Sequence, residues 1–186
     1  MGICLDQLVE TDCDVCGQAP SKSLLALHGS AYHECSNCGL IFAKYVEANE
    51  AAFAKELMDY ASKAQDPRRV RRLKKELTPY AQYRKTNNFL EVGCNAGAVL
   101  LTARELGWDV RGVDISAAAT EYGRSTWGLP LHTGTLESAC YEDDMFDMIF
   151  SNATLEHVEH PLSTLTEIAR VRRPGGIFFC NTVNWD

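Results

Sequence analysis

The sequence predicts an α/β protein: a doubly wound, mainly parallel sheet of about five strands, preceded by a small cysteine-rich ribbon and a helical connector. Three observations predict it. From Phe89 onward, short apolar runs alternate with helix-like runs. The first apolar run ends in the glycine-punctuated stretch Glu91-Val-Gly-Cys-Asn-Ala-Gly97. Before residue 40 stand two C-x₂-C-G units. The expected boundaries are 1–45 for the ribbon, 46–86 for the connector and 87–186 for the α/β domain.

The bulk numbers agree with a soluble globular chain. Its 186 residues are 46% hydrophobic and 23% charged, ordinary values for one domain with an appendage. No apolar run approaches the roughly 18 residues needed to span a bilayer. The N-terminus lacks the basic start and apolar core of a secretory leader. A net charge of −7 weighs against broad binding to nucleic acid or an anionic membrane. Eight cysteines without an export signal point to a reducing, cytoplasmic setting and to metal binding rather than disulfides.

Cys13-Asp-Val-Cys16-Gly17 and Cys35-Ser-Asn-Cys38-Gly39 are the ribbon. Each unit can turn tightly so that two thiolates face one ion, and the glycine relieves the backbone where the turn closes. Four soft ligands from two such turns suit a tetrahedral, structural zinc ion with no open position for substrate. His28 and His33 are surplus to that shell. Short strands are expected at Ser23 to Leu27 and Ala31 to Glu34, with Leu40, Ile41 and Phe42 apolar enough to dock the ribbon elsewhere.

Two helices should follow. Ala48 to Ala64 is rich in Ala, Glu, Leu and Lys. Val70, Leu73, Leu77, Tyr80 and Tyr83 recur at helical spacing and predict one buried face. Asp66-Pro67 marks a break and a new start, and Pro79 a kink or an end. Between Pro67 and Lys85 lie Arg68, Arg69, Arg71, Arg72, Lys74, Lys75, Arg84 and Lys85, opposed only by Glu76. Such a run reads first as a solvated helix face, and second as a patch for an anionic substrate or RNA.

In the α/β part, strands are expected ending at Glu91, at Asp109 to Asp114, near Leu131 to Thr133, at Phe146 to Asn152 and at Gly176 to Val183. Helices fall between them at Ala98 to Leu106, Ser116 to Thr126 and Pro161 to Val171. Right-handed crossovers then make the sheet parallel, with ligands at the strands' carboxyl ends. The turn after Glu91 leads into a helix N-terminus, which brings backbone N–H groups toward a nucleotide-like ligand. Asp114 lies one strand–helix unit further on, where an acid can hold a ribose. Cys94 sits in the turn with no base nearby in sequence and reads as packing. Pro174-Gly175-Gly176 reads as a turn into the last strand.

These residues resemble the class I S-adenosylmethionine-dependent methyltransferases. The resemblance rests on Glu91 to Gly97, Gly112-Val-Asp114, Phe146-Asp-Met-Ile149, Leu155-Glu-His-Val158 with Pro161, and Arg170-Val-Arg-Arg-Pro-Gly-Gly176. With the ribbon and connector in front, the order is similar to that of zinc-ribbon-bearing methyltransferases, including sugar C-methyltransferase relatives. The resemblance implies a Rossmann-like domain binding S-adenosylmethionine through Glu91, Gly93, Asn95, Gly97, Asp114, Ile115, Leu136 and Asn152. Gly93 and Gly97 would admit the methionine end, Asp114 the ribose hydroxyls, Ile115 the adenine face, and Asn152 the methyl-transfer site. Asn95 stands where many relatives have glycine, and Thr135 where many have an acid beside the adenine. His157 is the implied general base, with Glu156 and His160 as alternatives.

The family continues past the fifth strand with a further helix and two strands, one of them antiparallel. This chain stops at Asp186, so the expectation is a C-terminally truncated core whose last strand, Ile177 to Cys180, forms a sheet edge. A homodimer or another partner could cover it. The leading functional expectation is methyl transfer to a small-molecule metabolite. RNA methylation, still enzymatic, and a non-catalytic cofactor-binding scaffold, from another class, stand as alternatives. A nicotinamide-dependent dehydrogenase fits the first turn alone, and leaves the Leu-Glu-His-Val and Arg-Pro-Gly-Gly stretches unexplained.

Overall fold

The computed structural model describes residues 13–18, 21–27, 30–45, 60–61, 63–158 and 160–182. Three antiparallel strands, β1 (Ser21–Leu27), β2 (Ser30–Cys35) and β3 (Ile41–Tyr45), pair in sequence order and form the ribbon. A second sheet contains β4 (Asn88–Val92), β5 (Asp109–Asp114), β6 (Leu131–Thr133), β7 (Phe146–Asn152) and β8 (Arg172–Asn181). Its order is β6-β5-β4-β7-β8, and every pairing is parallel. The expected α/β architecture is what the chain adopts.

The sheet is covered on both faces, which is why its central strands read as continuous apolar runs. Alternation along each strand divides the side chains between two cores. Phe89, Met148 and Phe150 face one side, where Val99, Leu100 and Ala103 of α2 (Ala98–Glu105) meet Leu73 and Leu77 of α1 (Pro67–Leu77). Leu90, Val92, Val113 and Ile149 face the other, against Ile168 and Val171 of α4 (Pro161–Val171). On the first face, rings cross the sheet from Trp108 through Phe89, Phe150 and Phe179 to Tyr80. Phe150 and Phe179 stack at 4.8 Å with their planes 9° apart. The remaining helix, α3 (Ala117–Trp127), is capped by the Ser116 side chain at its start and by Gly128 at its end.

One buried carboxylate ties the connector to the sheet. Asp147 Oδ2 accepts backbone N–H bonds from Lys85, Thr86 and Asn87 at 2.7, 2.8 and 2.7 Å. Its Oδ1 accepts from Arg173 Nε, and Arg173 Nη2 in turn donates to the Tyr83 carbonyl. Burial alone would raise this carboxyl. The Arg173 guanidinium and the three N–H donors outweigh it and hold Asp147 below the ordinary aspartate range.

The connector helix starts and changes pitch where Asp66-Pro67 and Pro79 place it, while Tyr83 and the start of the last strand differ from the sequence expectation. α1 starts at Pro67, with Asp66 Oδ1 accepting from Arg68 N at 2.7 Å, and its last turn passes into a 3₁₀ turn at Thr78–Tyr83 around Pro79. Tyr83 is exposed, because the change of helical pitch at Thr78 rotates it off the buried stripe. Pro174-Gly175-Gly176 is not a turn before the last strand but a bulge inside it. β8 begins at Arg172, opposite Phe146, and re-enters register at Ile177 opposite Met148. Gly175 takes a left-handed φ of 76° there. Within the five-stranded sheet β8 lies at the edge, as expected. Of the first connector helix only Tyr60, Ala61 and residues 63–64 are described, and His28, Cys4 and Val183 lie outside the described residues.

Candidate active site

The carboxyl ends of β4, β5, β7 and β8 meet at one rim. The turn between β4 and α2 is set by three left-handed residues: Gly93 at φ 73°, Asn95 at φ 51° and Gly97 at φ 91°. Asn95 stabilises its own strained backbone, its Oδ1 accepting from Ala96 N at 2.7 Å. Gly93 N and Cys94 N donate to Val113 O at 2.9 and 3.0 Å, which hangs the turn on β5. A Cβ at Gly93 would stand 2.1 Å from Thr154 Oγ1, so this turn also abuts the loop that follows β7.

Asp114 organises the rim from the tip of β5. Its Oδ2 accepts from Asn95 N at 2.7 Å and its Oδ1 from Ser116 N at 2.9 Å. One carboxylate thus joins the turn after β4 to the turn after β5. Ile115, beside it, is 77% exposed, an isolated apolar side chain next to a charged group. Leu136 turns its side chain into the core with Val92 and Val113, leaving its backbone as the part that can reach a ligand. Thr135 and Glu137 serve local structure. The Thr135 hydroxyl accepts from Ser138 N at 3.3 Å, and Glu137 Oε1 accepts from Ser163 and Thr164 of α4 at 3.2 and 3.1 Å.

Glu91 is buried, and its Oε2 has no hydrogen-bond partner among the described residues. Burial pushes its carboxyl well up and the negative Asp114 adds to this, against the opposing pull of Arg69 and the Leu100 N–H. Arg69 and Tyr60 complete a cluster that sequence reasoning missed. The Arg69 guanidinium lies 4.2 Å over the Tyr60 ring, and its Nε is buried without a partner among the described residues. In the sequence Arg69 passes for one member of a solvated basic run. The available signal was its place on the same helical stripe as Leu73 and Leu77. Cys94 is fully buried in the core, and burial raises its thiol, so the packing reading holds.

On the other half of the rim, Asn152 is exposed and its Oδ1 accepts from Asn181 Nδ2 at 2.8 Å, linking the tips of β7 and β8. Glu156 Oε2 accepts from the Thr182 hydroxyl at 2.9 Å. His157 is exposed, on a short 3₁₀ turn (Leu155–His157) closed by His157 N to Thr154 O at 2.8 Å.

The four ribbon cysteines, Cys13, Cys16, Cys35 and Cys38, come together with all sulfurs within 4.8 Å of one another. The two turns repeat one geometry. Gly17 N and Gly39 N, both at left-handed φ, donate to Cys13 O and Cys35 O at 2.7 and 2.9 Å. Backbone N–H groups of Cys38 and Asn37 bring the Cys35 thiol down to about 6. The Cys38 thiol goes the other way, to about 12: its neighbour sulfurs and burial outweigh the Leu40 backbone, which lowers it. Four sulfurs gathered this closely by two matching turns fit a thiolate-bound metal. His33 is buried and stacked on Phe42 at 5.6 Å, outside the cluster.

Known proteins place this geometry. Residues 90–180 match the family model described as a methyltransferase domain. A ubiquinone biosynthesis O-methyltransferase of Maricaulis maris is 31% identical over 101 residues, covering 51% of this chain and 40% of that relative. The chain therefore spans well under half the length of that relative. The fold matches a Methanococcus maripaludis structure described as an S-adenosyl-L-methionine-dependent methyltransferase, with TM-score 0.58, 17% identity and coverage of 68% of this chain and 61% of the other. It also matches the PH0226 protein of Pyrococcus horikoshii OT3, with TM-score 0.54, 26% identity and coverage of 62% and 57%. Bridged strand tips, a left-handed turn and an acid at the end of β5 thus lie within a methyltransferase domain, residues 90–180, that has the Rossmann-like fold of S-adenosylmethionine-dependent methyltransferases.

Proposed function

We propose that this chain binds S-adenosylmethionine across the tips of β4 and β5 and serves methyl transfer to a small, polar metabolite. The observation that carries the reading is Asp114, fixed by one N–H from each adjoining turn and so preorganised to accept the two ribose hydroxyls. Gly93, Asn95 and Gly97 leave the turn's backbone open to the methionine end. Arg69 and Glu91 supply opposite charges for that end's carboxylate and amino group. Ile115 offers the adenine an apolar face, and the Leu136 backbone an edge contact. When bound, the cofactor's sulfonium supplies the electrophilic methyl group; the protein's part is to align the acceptor and take its proton where one leaves.

His157 is the proposed base, from its exposed position on the loop beyond β7. The rim beside it consists of Asn152, Asn181, Glu156 and Thr182, groups that recognise hydroxyls and amides and not an apolar ring. The ribbon's four thiols hold a structural zinc in this reading. RNA is disfavoured: Arg69 turns inward and Lys74 pairs with Glu105 at 2.8 Å, which thins the basic face.

Titration calorimetry with S-adenosylhomocysteine tests the proposal. Binding by the intact chain, and its loss in Asp114→Ala with the fold retained by circular dichroism, is the expected result. No heat of binding in the intact, folded chain would overturn it. Once an acceptor is found, His157→Ala should lower kcat and leave cofactor affinity unchanged.

A further inference from the structure

The ribbon and the α/β domain touch at one informative place. His160 Nδ1 lies 3.4 Å from Asp14 Oδ1. Asp14 belongs to the first cysteine turn, between Cys13 and Cys16, and its side chain is only 21% exposed. His160 stands at the N-cap of α4 and follows the segment 153–158, which leaves the tip of β7 and carries His157. The same segment is held at two further points. Thr154 packs against Gly93, and Ala153 N donates to Asn181 O at 2.8 Å. The segment is therefore fixed by the cofactor turn on one side, by β8 on a second, and by the cysteine turn on a third.

We propose that the first cysteine turn forms a wall of the acceptor site, seated by Asp14 on the segment after β7, so that the ribbon's metal sets the order of that segment. The inference rests on the methyltransferase reading for the name of the site and on the four thiols for the metal. A half-exposed pair of this length adds little binding of its own; it marks where the turn sits and in what register. The position of Asp14 is dictated by Cys13 and Cys16, which flank it within one hydrogen-bonded turn. A metal that gathers those sulfurs therefore fixes Asp14, and through it His160. Cofactor contacts at Asp114 lie on the far strand, β5, and should not feel the metal.

Hydrogen exchange read by mass spectrometry tests this on the full chain, zinc-loaded and after removal of zinc by a chelator. Exchange over 153–164 should rise several-fold on zinc removal, while 93–100 keeps its protection. His160→Ala should reproduce part of that rise with zinc content unchanged by metal analysis; the His160 side chain makes no helix-capping bond, so α4 should persist. Unchanged exchange over 153–164 after chelation, or an equal rise throughout including 93–100, would overturn the proposal. Calorimetry with S-adenosylhomocysteine on the zinc-loaded protein fails separately, since absent binding there removes the methyltransferase reading and leaves the exchange result standing.

Discussion

Asp114 does two jobs with two oxygens, and its substitution should reveal both. Each oxygen already accepts a backbone N–H, so Asp114→Asn replaces one acceptor by a donor facing an N–H. A hydrogen bond to a charged group is worth about 1.5–3 kcal/mol, which predicts S-adenosylhomocysteine binding weaker by roughly 10- to 100-fold in calorimetry. Glu91 gives a second prediction at this scale. Burial first, then Asp114, raise its carboxyl. A cationic ligand group beside it favours the ionised form, so binding should release a proton. Affinity for S-adenosylmethionine should then rise with pH until Glu91 is ionised in the free protein, and Glu91→Gln should flatten that dependence.

Among elements, the joint between connector and sheet rests on Asp147 and Arg173. Asp147→Asn sets an amide against the N–H donors of Lys85, Thr86 and Asn87 and takes the charge partner from Arg173, whose side chain is 13% exposed, a change costing about 1.5–3 kcal/mol, visible as a lowered urea midpoint at neutral pH. The sign of its pH effect is fixed by the lowered carboxyl. The native pair's contribution is present above the unfolded aspartate value of about 3.9 and is lost as pH falls through the lower folded value. Acid unfolding of Asp147→Asn should lack that limb. Close packing of α3 offers a second check. A Cβ at Gly123 would stand 2.3 Å from the Ala96 carbonyl, so Gly123→Ala should destabilise by about 1–3 kcal/mol through overpacking.

At the scale of the molecule, two sheets have separate means of support. The parallel sheet has an apolar core on each face, whereas the three-stranded ribbon is gathered around four thiols. Chelating the zinc proposed for those thiols should therefore abolish ribbon structure and leave the core's thermal transition in place, in the manner of small metal-folded domains. Calorimetric scans with and without chelator would show this as loss of one component with the main transition little moved.

Periodicity and punctuation alone determined the larger part of this architecture. Apolar runs broken by Gly93, Asp114 and Asn152 place strands with ligand-facing tips, because a strand buried on both faces must be apolar until it ends. The paired cysteine turns declare their cluster because ligand spacing within a turn is a local property. What only the tertiary structure decided is long-range. That Arg69 turns inward over Tyr60 toward Glu91, that Asp147 gathers three distant N–H groups, and that Asp14 reaches His160 are matters of how elements cross. A charged side chain carries the same local signal whether water or a buried partner satisfies it, and only the packed chain selects between them.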